Sequence, residues 1–439
     1  MSTRLERELF RLLGARDVMR ADSRGAQVYL ADATESRGMQ GRADAIVLPE
    51  TPGQVAKVVA YAQTHDVPIT TRGGGTGFAG GAVPDGGILL ATERLGGVPK
   101  IDPERWLAEV PAATTTADLR RRAREEGLYY PPDPGAQEQS LIGGNIATNA
   151  GGPHTFKYGV TGRWVASLDI VLASGEQLTV GHEVKKDVSG YDLKSLLVGS
   201  EGTLGIITGA RMHLIPAPEV QLPILARYPD TASGVAAIAR VLTCAAIPAA
   251  LEFLDAPTTD SDFTVLIDAE GGAEELKEAL ADGASSIEAP TDRHAINQLW
   301  RWRDGVSLQV TARHGGKVSE DITVPVTRLA EAIESTVEIG KRHGLEACSW
   351  GHAGDGNMHS TFMLDRNDEA QLHAAEDAAE ELFAMALELG GSISGEHGIG
   401  LVKRAAAAQA LDGQVQKLNR QIKDLLDPKG LLNPGKKLP

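Results

Sequence analysis

The sequence has few of the residues that bind redox metals and no segment suited to crossing a membrane. Among 439 residues the only cysteines are Cys244 and Cys348, which are far apart. Two free thiols in a reducing cytoplasm are therefore expected. An iron–sulfur cluster usually needs about four cysteine ligands, so the sequence excludes one within this chain. No uninterrupted apolar segment approaches the roughly 18 to 20 residues of a membrane-spanning helix, so no transmembrane segment is predicted.

Positive charge is also scarce. The chain carries 43 Lys and Arg against 59 Asp and Glu, a formal net charge of -16. This balance argues against nucleic-acid binding, which requires a basic surface, but it leaves room for a local basic pocket that binds a small anion. The 42% hydrophobic share is typical of a globular protein, and the length predicts two domains.

Glycine, by contrast, is abundant, with 50 residues, and the first dense stretch is residues 71–81. Such a loop brings backbone amides together in a concavity that binds phosphate oxygens. Gly75, Gly77 and Gly80 match the Rossmann dinucleotide fingerprint. Residues 81–87 include Pro84 and cannot continue as a helix, so the helix N-terminus of that fold is missing. A Rossmann site, a structural turn and the pyrophosphate loop of another fold remain open at this point.

Two later glycine-rich stretches favour the third interpretation. Residues 131–159 run from a proline-rich turn through Gly143 and Gly144 to Tyr158 and Gly159, and residues 198–207 contain a further glycine-rich loop. Three such loops beside predicted strands suggest one elongated ligand that is contacted at several places. With these motifs in this order, the chain resembles the flavoprotein family of vanillyl-alcohol oxidase and its bacterial D-lactate and glycolate dehydrogenase relatives, over roughly residues 40–439.

The resemblance implies an α+β fold, in which a two-part PCMH-type domain binds FAD and an α+β cap domain with an antiparallel sheet binds the substrate. Some family members attach FAD covalently through a histidine in the first glycine loop. Thr76 stands at that place here, so we expect non-covalent FAD. The residues expected to contact FAD are Arg72, Gly73, Gly74, Gly75, Thr76, Gly77, Gly80, Pro132, Asp133, Ser140, Gly143, Gly144, Asn149, Gly152, Tyr158, Gly159, Glu201, Gly205, Ile206 and Asn433.

The predicted elements divide the chain into an FAD-binding domain over residues 1–216, a cap domain with a metal site over 217–420 and a tail over 421–439. The first domain opens with an amphipathic helix predicted over residues 2–20. A boundary is expected near residues 214–219, where two prolines interrupt the pattern. The resemblance implies that the tail returns to the FAD domain.

One histidine cluster, in residues 350–359, differs from the scattered histidines elsewhere. Asp355-Gly356 is a strong signal for a two-residue hairpin turn. A turn centred there would place His352 and His359 directly opposite each other on paired strands. Both imidazoles could then reach one ion, because cross-strand partners share a face of the sheet. The alternative is a solvent-exposed hairpin that happens to carry two histidines.

The second candidate element is the Gly-Glu-His-Gly sequence that contains Glu396 and His397. Two histidines and one carboxylate form a ligand set that leaves coordination positions open, as catalytic sites require. The resemblance to the metal-dependent D-2-hydroxyacid dehydrogenase branch implies that His352, His359 and Glu396 hold zinc, or manganese or iron. By the same resemblance, His397 is the catalytic base.

Arg303 lies in a predicted helix and matches a family arginine that binds the substrate carboxylate, a role that suits its bidentate geometry. The alternative is that Arg303 only pairs with a nearby acidic residue.

We therefore expect an FAD-dependent dehydrogenase that oxidises a D-2-hydroxy acid such as lactate, glycolate or 2-hydroxyglutarate. Its electrons would pass to an external acceptor, which is a quinone, an iron–sulfur partner or an electron-transfer flavoprotein. We also expect a homodimer that is located in the cytoplasm or peripherally at the inner membrane face. The alternatives are a metal-independent flavoprotein oxidase of an alcohol or sugar, and a flavin-carrying subunit of a larger dehydrogenase complex.

Overall fold

The computed structural model describes residues 4–439. The described chain forms two compact bodies, the first made of residues 4–150, 160–217 and 396–439 and the second of residues 151–159 and 218–395. This grouping differs from the predicted division in two places. Residues 396–420 belong to the first body together with the tail, and the short segment 151–159 belongs to the second.

The strands are labelled in chain order. They are β1 (Val18–Met19), β2 (Ala45–Val47), β3 (Ile69–Arg72), β4 (Ile88–Ala91), β5 (Lys100–Asp102), β6 (Leu107–Pro111), β7 (Leu128–Tyr129), β8 (Val165–Val171), β9 (Gln177–Gly181), β10 (Ile206–His213), β11 (Ile215–Pro216), β12 (Leu222–Tyr228), β13 (Ala250–Leu254), β14 (Phe263–Ala269), β15 (Ser286–Glu288), β16 (Gly316–Thr323), β17 (Glu346–His352) and β18 (Asn357–Leu364).

The α-helices follow the same order. They are α1 (Arg4–Leu13), α2 (Pro52–His65), α3 (Thr116–Glu125), α4 (Ile142–Thr148), α5 (Thr155–Tyr158), α6 (Leu193–Leu197), α7 (Thr231–Val241), α8 (Ala256–Thr259), α9 (Ala273–Ala281), α10 (Arg293–Asp304), α11 (Val306–His314), α12 (Leu329–Arg342), α13 (Glu369–Glu388), α14 (Arg404–Ala410) and α15 (Gly413–Leu426). Short 3-10 helices occupy Gln27–Tyr29, Ala33–Arg37, Thr92–Arg94, Thr161–Trp164 and Val326–Arg328.

The first body contains a small, mainly parallel sheet in the order β1-β2-β4-β3. Strands β2 and β3 both run parallel to β4, and α2 connects β2 to β3 along the chain. Helix α2 begins with a capping box between Thr51 and Gln54, with Pro52 in its first turn. Its buried residues Val55, Val58, Val59 and Ala62 form one apolar stripe along the helix.

The larger sheet of the first body is antiparallel, in the order β5-β6-β10-β8-β9. Strands β8 and β9 form a hairpin, which turns at Gly175 with a φ of +85°. The predicted N-terminal helix is shorter than expected, because α1 ends at Leu13 and Gly14 follows with a φ of +100°. Residues 2 and 3 of that prediction lie outside the described residues.

The second body is built on one antiparallel sheet in the order β15-β12-β14-β13-β17-β18-β16. The strands β13, β17 and β18 at its centre are almost wholly buried, and helices including α12 and α13 pack against the sheet. Helix α10 has its amino-terminal cap at Asp292, whose carboxylate accepts a hydrogen bond from the amide of Ala295. The antiparallel sheet predicted for the second domain is therefore present.

Candidate active site

The first glycine loop follows β3 and exposes a row of backbone amides. The chain turns at Gly75 and Gly80, with φ angles of +70° and +74° that glycine adopts most readily. Within residues 4–439, the amides of residues 74–78 donate to no protein acceptor. Adjacent amides of this kind form a concavity for an anion. Since β4 rather than a helix follows the loop, the site differs from a Rossmann site and fits the pyrophosphate of a cofactor in another fold.

The second glycine-rich segment meets the first loop backbone to backbone. A Cβ atom at Gly73 would lie 3.3 Å from the Cα atom of Gly144. A Cβ atom at Gly74 would lie only 2.3 Å from the carbonyl oxygen of Gln139, closer than real Cβ contacts allow. Any larger residue at Gly74 would therefore separate the two loops. This close approach explains why glycine is needed at positions that the sequence predicted to contact FAD.

Glu201 from the third glycine-rich loop holds the segment that follows His397. Its side chain is almost fully buried, and its backbone has a φ of +53°. One carboxylate oxygen accepts from the amide of Ile399 at 2.9 Å, and the other accepts from the amide of Gly400 at 2.7 Å. Lys437 lies 3.2 Å from the same carboxylate. The Glu201 side chain therefore holds the backbone after His397 in place, in addition to its predicted contact with FAD.

Asn433 of the C-terminal tail joins two of the cofactor loops. Its side-chain amide donates to the carbonyl oxygens of Gly81, at 3.1 Å, and Glu201, at 2.6 Å. The other end of the same side chain accepts from Lys436 at 2.7 Å. The predicted return of the tail to the first body is present, and Asn433 acts there by fixing the loops to each other.

The other predicted cofactor residues of the first body sit in these loops or at strand and helix ends. They are Arg72, Thr76, Gly77, Pro132, Asp133, Ser140, Gly143, Asn149, Gly205 and Ile206. Arg72 donates to the carbonyl oxygen of Val28 at 3.0 Å, and burial lowers the pKa of its guanidinium. Asn149 has a φ of +55°, and its side-chain oxygen accepts from the amide of Gly162 at 2.8 Å.

Three predicted cofactor residues, Gly152, Tyr158 and Gly159, group with the second body. The Tyr158 hydroxyl donates to the carboxylate of Glu270, and the ammonium of Lys157 lies 2.7 Å from that carboxylate. Sequence reasoning placed this segment with the FAD-binding domain because it continues the second glycine-rich stretch. Its anchor, Glu270, lies more than a hundred positions further along the chain, so no local pattern could have revealed it.

His397 packs on the first glycine loop. Its ring stacks on Phe78, with centroids 4.8 Å apart and planes inclined by 29°. The amide of Leu401 donates to the carbonyl oxygen of Ala79 at 2.8 Å. Gly400 approaches so closely that a Cβ atom there would lie 2.0 Å from that oxygen. The predicted base and the predicted phosphate loop are thus parts of one packed unit within the first body.

The histidine hairpin of the second body differs in register from the prediction. His352 pairs with Asn357 and Trp350 pairs with His359, so the turn spans residues 353–356. The two histidines are therefore diagonal neighbours on one face and are not directly opposite, and their ring centroids lie 5.6 Å apart. The prediction of directly opposite histidines was wrong because the turn is longer than the two-residue turn that was assumed. The two histidines still share one face of the sheet, because a register shift of two residues leaves each side chain on the same face.

The third predicted ligand lies where the chain leaves the second body. Gly395 is the last residue of that body, and Glu396 follows it directly. The amide of Gly395 donates at 2.7 Å to the fully buried carboxylate of Asp321. One ligand atom each from His352, His359 and Glu396 lies within 4.8 Å of the other two. Two imidazoles and a carboxylate at this spacing fit a divalent ion and leave coordination positions for a substrate.

Arg303 forms an ion pair in the interior of the second body. The side chain lies at the end of α10 and is 7% exposed. Its Nε atom donates to Oε2 of Glu252 at 2.9 Å, and Nη2 contacts the same oxygen. Pairing with a nearby acid, the alternative raised from the sequence, is therefore present. The ion pair does not use the third guanidinium nitrogen, Nη1.

Sequence reasoning missed Glu252, which is central to this cluster. Its second oxygen, Oε1, accepts from Nδ1 of His352 at 2.6 Å. Burial would raise the pKa of the Glu252 carboxyl, but its electrostatic and hydrogen-bond interactions with His352 and Arg303 outweigh the effect of burial, and the pKa is lowered. The available signal was a single acidic residue inside the apolar strand β13, Ala-Leu-Glu-Phe-Leu. A buried carboxylate in such a strand needs a partner.

Comparison with known proteins gives the family. The model of the C-terminal domain of FAD linked oxidases matches residues 217–437, and the model of an FAD binding domain matches residues 43–181. The chain belongs to the FAD-linked oxidase family. This FAD-linked oxidase is 35% identical to the glycolate oxidase subunit GlcD of Bacillus subtilis, over 94% of this chain and 92% of the relative. It is 36% identical to a D-lactate dehydrogenase of Archaeoglobus fulgidus, over 89% and 90% of the two chains.

A solved structure confirms the fold of the FAD-linked oxidase. Substrate-bound p-cresol methylhydroxylase superposes with a TM-score of 0.82 at 18% identity, over 99% of this chain and 97% of that chain. The predicted α+β fold and the predicted FAD-dependent oxidoreductase class are therefore confirmed. Among the helices of residues 4–439, none combines the length and apolar character needed to cross a bilayer.

Proposed function

We propose that this FAD-linked oxidase oxidises a D-2-hydroxy acid of the glycolate or D-lactate class to the 2-oxo acid, with a bound divalent ion. The main support is the cluster of His352, His359 and Glu396, whose ligand atoms lie within 4.8 Å of one another. Glu396 is followed directly in the chain by His397. The names of the two relatives, a glycolate oxidase subunit and a D-lactate dehydrogenase, support the substrate class.

FAD would be held, without a covalent bond, by the glycine loops of the first body. Within residues 4–439 the amides of residues 74–78 donate to no protein acceptor, so they could donate to its pyrophosphate, and the close approach of Gly74 to Gln139 fixes the second loop beside them. Bound FAD supplies the acceptor for the hydride that leaves C2 of the substrate. The oxidation thus yields a 2-oxo acid, one proton and a two-electron-reduced cofactor.

His352, His359 and Glu396 would hold the ion, which we take to be zinc or, as alternatives, manganese or iron. A divalent ion in such a site acts as a Lewis acid and lowers the pKa of a hydroxyl group that it binds. The chain's own contribution is orientation. Glu252 fixes the ring of His352, and Asp321 fixes the backbone just before Glu396.

His397 takes the proton of the 2-hydroxyl group. Its imidazole is held against Phe78 by stacking, and Glu201 binds the backbone two and three residues later. Arg303 binds the substrate carboxylate through the part of its guanidinium that Glu252 does not use. The two electrons then leave for an external acceptor, since the two cysteines of this chain cannot hold a cluster.

The first test is the substitution His397→Asn. Loss of a general base should slow anaerobic flavin reduction by D-lactate or glycolate by about 10²- to 10⁴-fold. FAD and metal content should stay unchanged, because His397 is assigned to neither. His373→Asn on the exposed face of α13 is the control and should behave as wild type. Flavin reduction at the wild-type rate in His397→Asn would refute the base assignment.

The second test is removal of the ion. Dialysis against a chelator should abolish flavin reduction by the 2-hydroxy acid and leave the flavin absorption spectrum intact, and added zinc or manganese should restore the rate. Full activity after verified metal removal would favour the alternative of a metal-independent oxidase. Comparison of D- and L-lactate in the same assay tests the stereochemistry, and equal rates would contradict the D assignment.

A further inference from the structure

Glu252 is a carboxylate in the interior of the second body. It lies in β13 with no solvent exposure, and its strand neighbours are apolar. An isolated charge in such a place is strongly unfavourable, so a buried carboxylate persists only with charged or hydrogen-bonding partners. Glu252 has a different partner for each oxygen: His352 on Oε1 and Arg303 on Oε2.

The contact with His352 selects one form of the imidazole. Strand register places Glu252 and His352 as cross-strand partners between β13 and β17, so the 2.6 Å contact between Oε1 and Nδ1 is built into the sheet. A carboxylate accepts and cannot donate, so the proton of His352 resides on Nδ1. In the neutral imidazole the lone pair is then on Nε2, which is the nitrogen that can ligate an ion. This arrangement matches the carboxylate–histidine–metal pattern of known sites.

Glu252 contacts Arg303 along only one edge of the guanidinium group. Nε and Nη2 face Oε2 of Glu252, and Nη1 lies outside the pair. A guanidinium held by one edge can rotate little, so its other donors point in a fixed direction. The same carboxylate that orients His352 therefore also orients Arg303. Nothing in the local sequence of α10 indicates this link, since Glu252 is 51 residues away.

We propose that Glu252 is a positioning residue that fixes His352 as an ion ligand and Arg303 as an anchor for the substrate carboxylate. The inference rests on the proposed function, in which these two residues have those roles. It adds that one buried carboxylate couples ion binding to substrate recognition. Loss of Glu252 should therefore weaken both at once, whereas changes at either partner should act mainly on one.

The test uses Glu252→Gln in the FAD-loaded protein. The amide can still accept from His352, but its NH₂ group then faces Arg303 and cannot replace the ion pair. Zinc affinity, measured by equilibrium dialysis with a competing chelator, should fall by about 10- to 100-fold, as for other residues that orient metal ligands. The KM for D-lactate or glycolate should rise as well, and kcat at saturating zinc and substrate should change less.

Two comparison variants distinguish a loss of positioning by Glu252 from a general loss of folding. Glu288→Gln makes the same change in an exposed pair with Arg227, on the edge strand β15 of the same sheet, and should leave both quantities unchanged. Arg303→Lys keeps a positive charge beside Glu252 and should raise KM while zinc affinity stays near that of wild type. Far-UV circular dichroism and flavin content verify that each variant is folded.

The outcomes distinguish the two proposals. If wild type binds zinc and Glu252→Gln binds it equally well with an unchanged KM, the positioning role is refuted and the proposed function stands. If wild type binds neither zinc nor manganese, the proposed ion site fails and the role of Glu252 fails with it. If Glu252→Gln does not fold, the double variant Glu252→Gln/Arg303→Met removes both buried charges. Wild-type zinc affinity in that double variant would also overturn the inference.

Discussion

Replacing Glu201 by glutamine should slow flavin reduction without removing the flavin. Glu201 lies in the third glycine-rich loop and is buried, and its carboxylate accepts from the amides of Ile399 and Gly400. Those amides belong to the turn that follows His397. In Glu201→Gln one oxygen is replaced by an NH₂ group, which would face a backbone donor. The turn should shift to relieve that contact, and His397 should shift with it.

The size of the effect follows from the hydrogen bonds lost. Leaving one buried amide without its charged acceptor costs about 1 to 3 kcal/mol. If all of this energy is lost from the transition state, the rate of flavin reduction falls by about 5- to 150-fold, since about 1.4 kcal/mol corresponds to a factor of ten. The loss should be smaller than that in His397→Asn, because the base is displaced and not removed.

Anaerobic stopped-flow measurement of flavin reduction is the appropriate assay, since it isolates the step from the external electron acceptor. Glu176→Gln, in the exposed hairpin between β8 and β9, is the matched control. Retention of FAD and a cooperative thermal transition would show that the variant is intact. An unchanged rate in such an intact Glu201→Gln protein would refute the idea that Glu201 positions His397.

Further predictions concern Gly400 and Lys436. Gly400→Ala should lower the free energy of unfolding by more than about 2 kcal/mol and reduce FAD content. The reason is that the new Cβ atom would lie 2.0 Å from the carbonyl oxygen of Ala79, at a residue whose φ is +48°. Urea unfolding and flavin titration measure the two effects, and Gly413→Ala, whose Cβ atom would meet nothing within 4 Å, is the control. Burial lowers the pKa of Lys436 to about 8, so the folded protein binds fewer protons than the unfolded chain between about pH 8 and the ordinary lysine value of 10.5. Wild-type stability should therefore rise with pH through that window relative to Lys436→Met, by at most about 3 kcal/mol, and parallel pH profiles of urea unfolding would contradict this.

The residues that carry the local signals could be identified from the sequence. The capping box at Thr51 and Gln54 depends only on contacts within one helical turn, so it follows from the local sequence. The glycine loops also follow from local chemistry, since φ angles above zero at Gly75 and Gly80 are a property of single residues. The three ordered loops were sufficient to indicate the family, and with it the FAD cofactor.

Tertiary structure decided what depends on long-range packing. The pairing of His352 with Asn357 is set by the whole sheet, where β18 also pairs with β16, and the sequence of the turn alone suggested another register. Glu252 could not be assigned from its strand, because its charge is stabilised only by side chains from two other elements. The sequence by itself determined which chemical groups are present and how each short segment bends. Which of those groups meet is decided by tertiary packing, because a buried charge or a buried amide is stable only beside the partner that the fold brings to it.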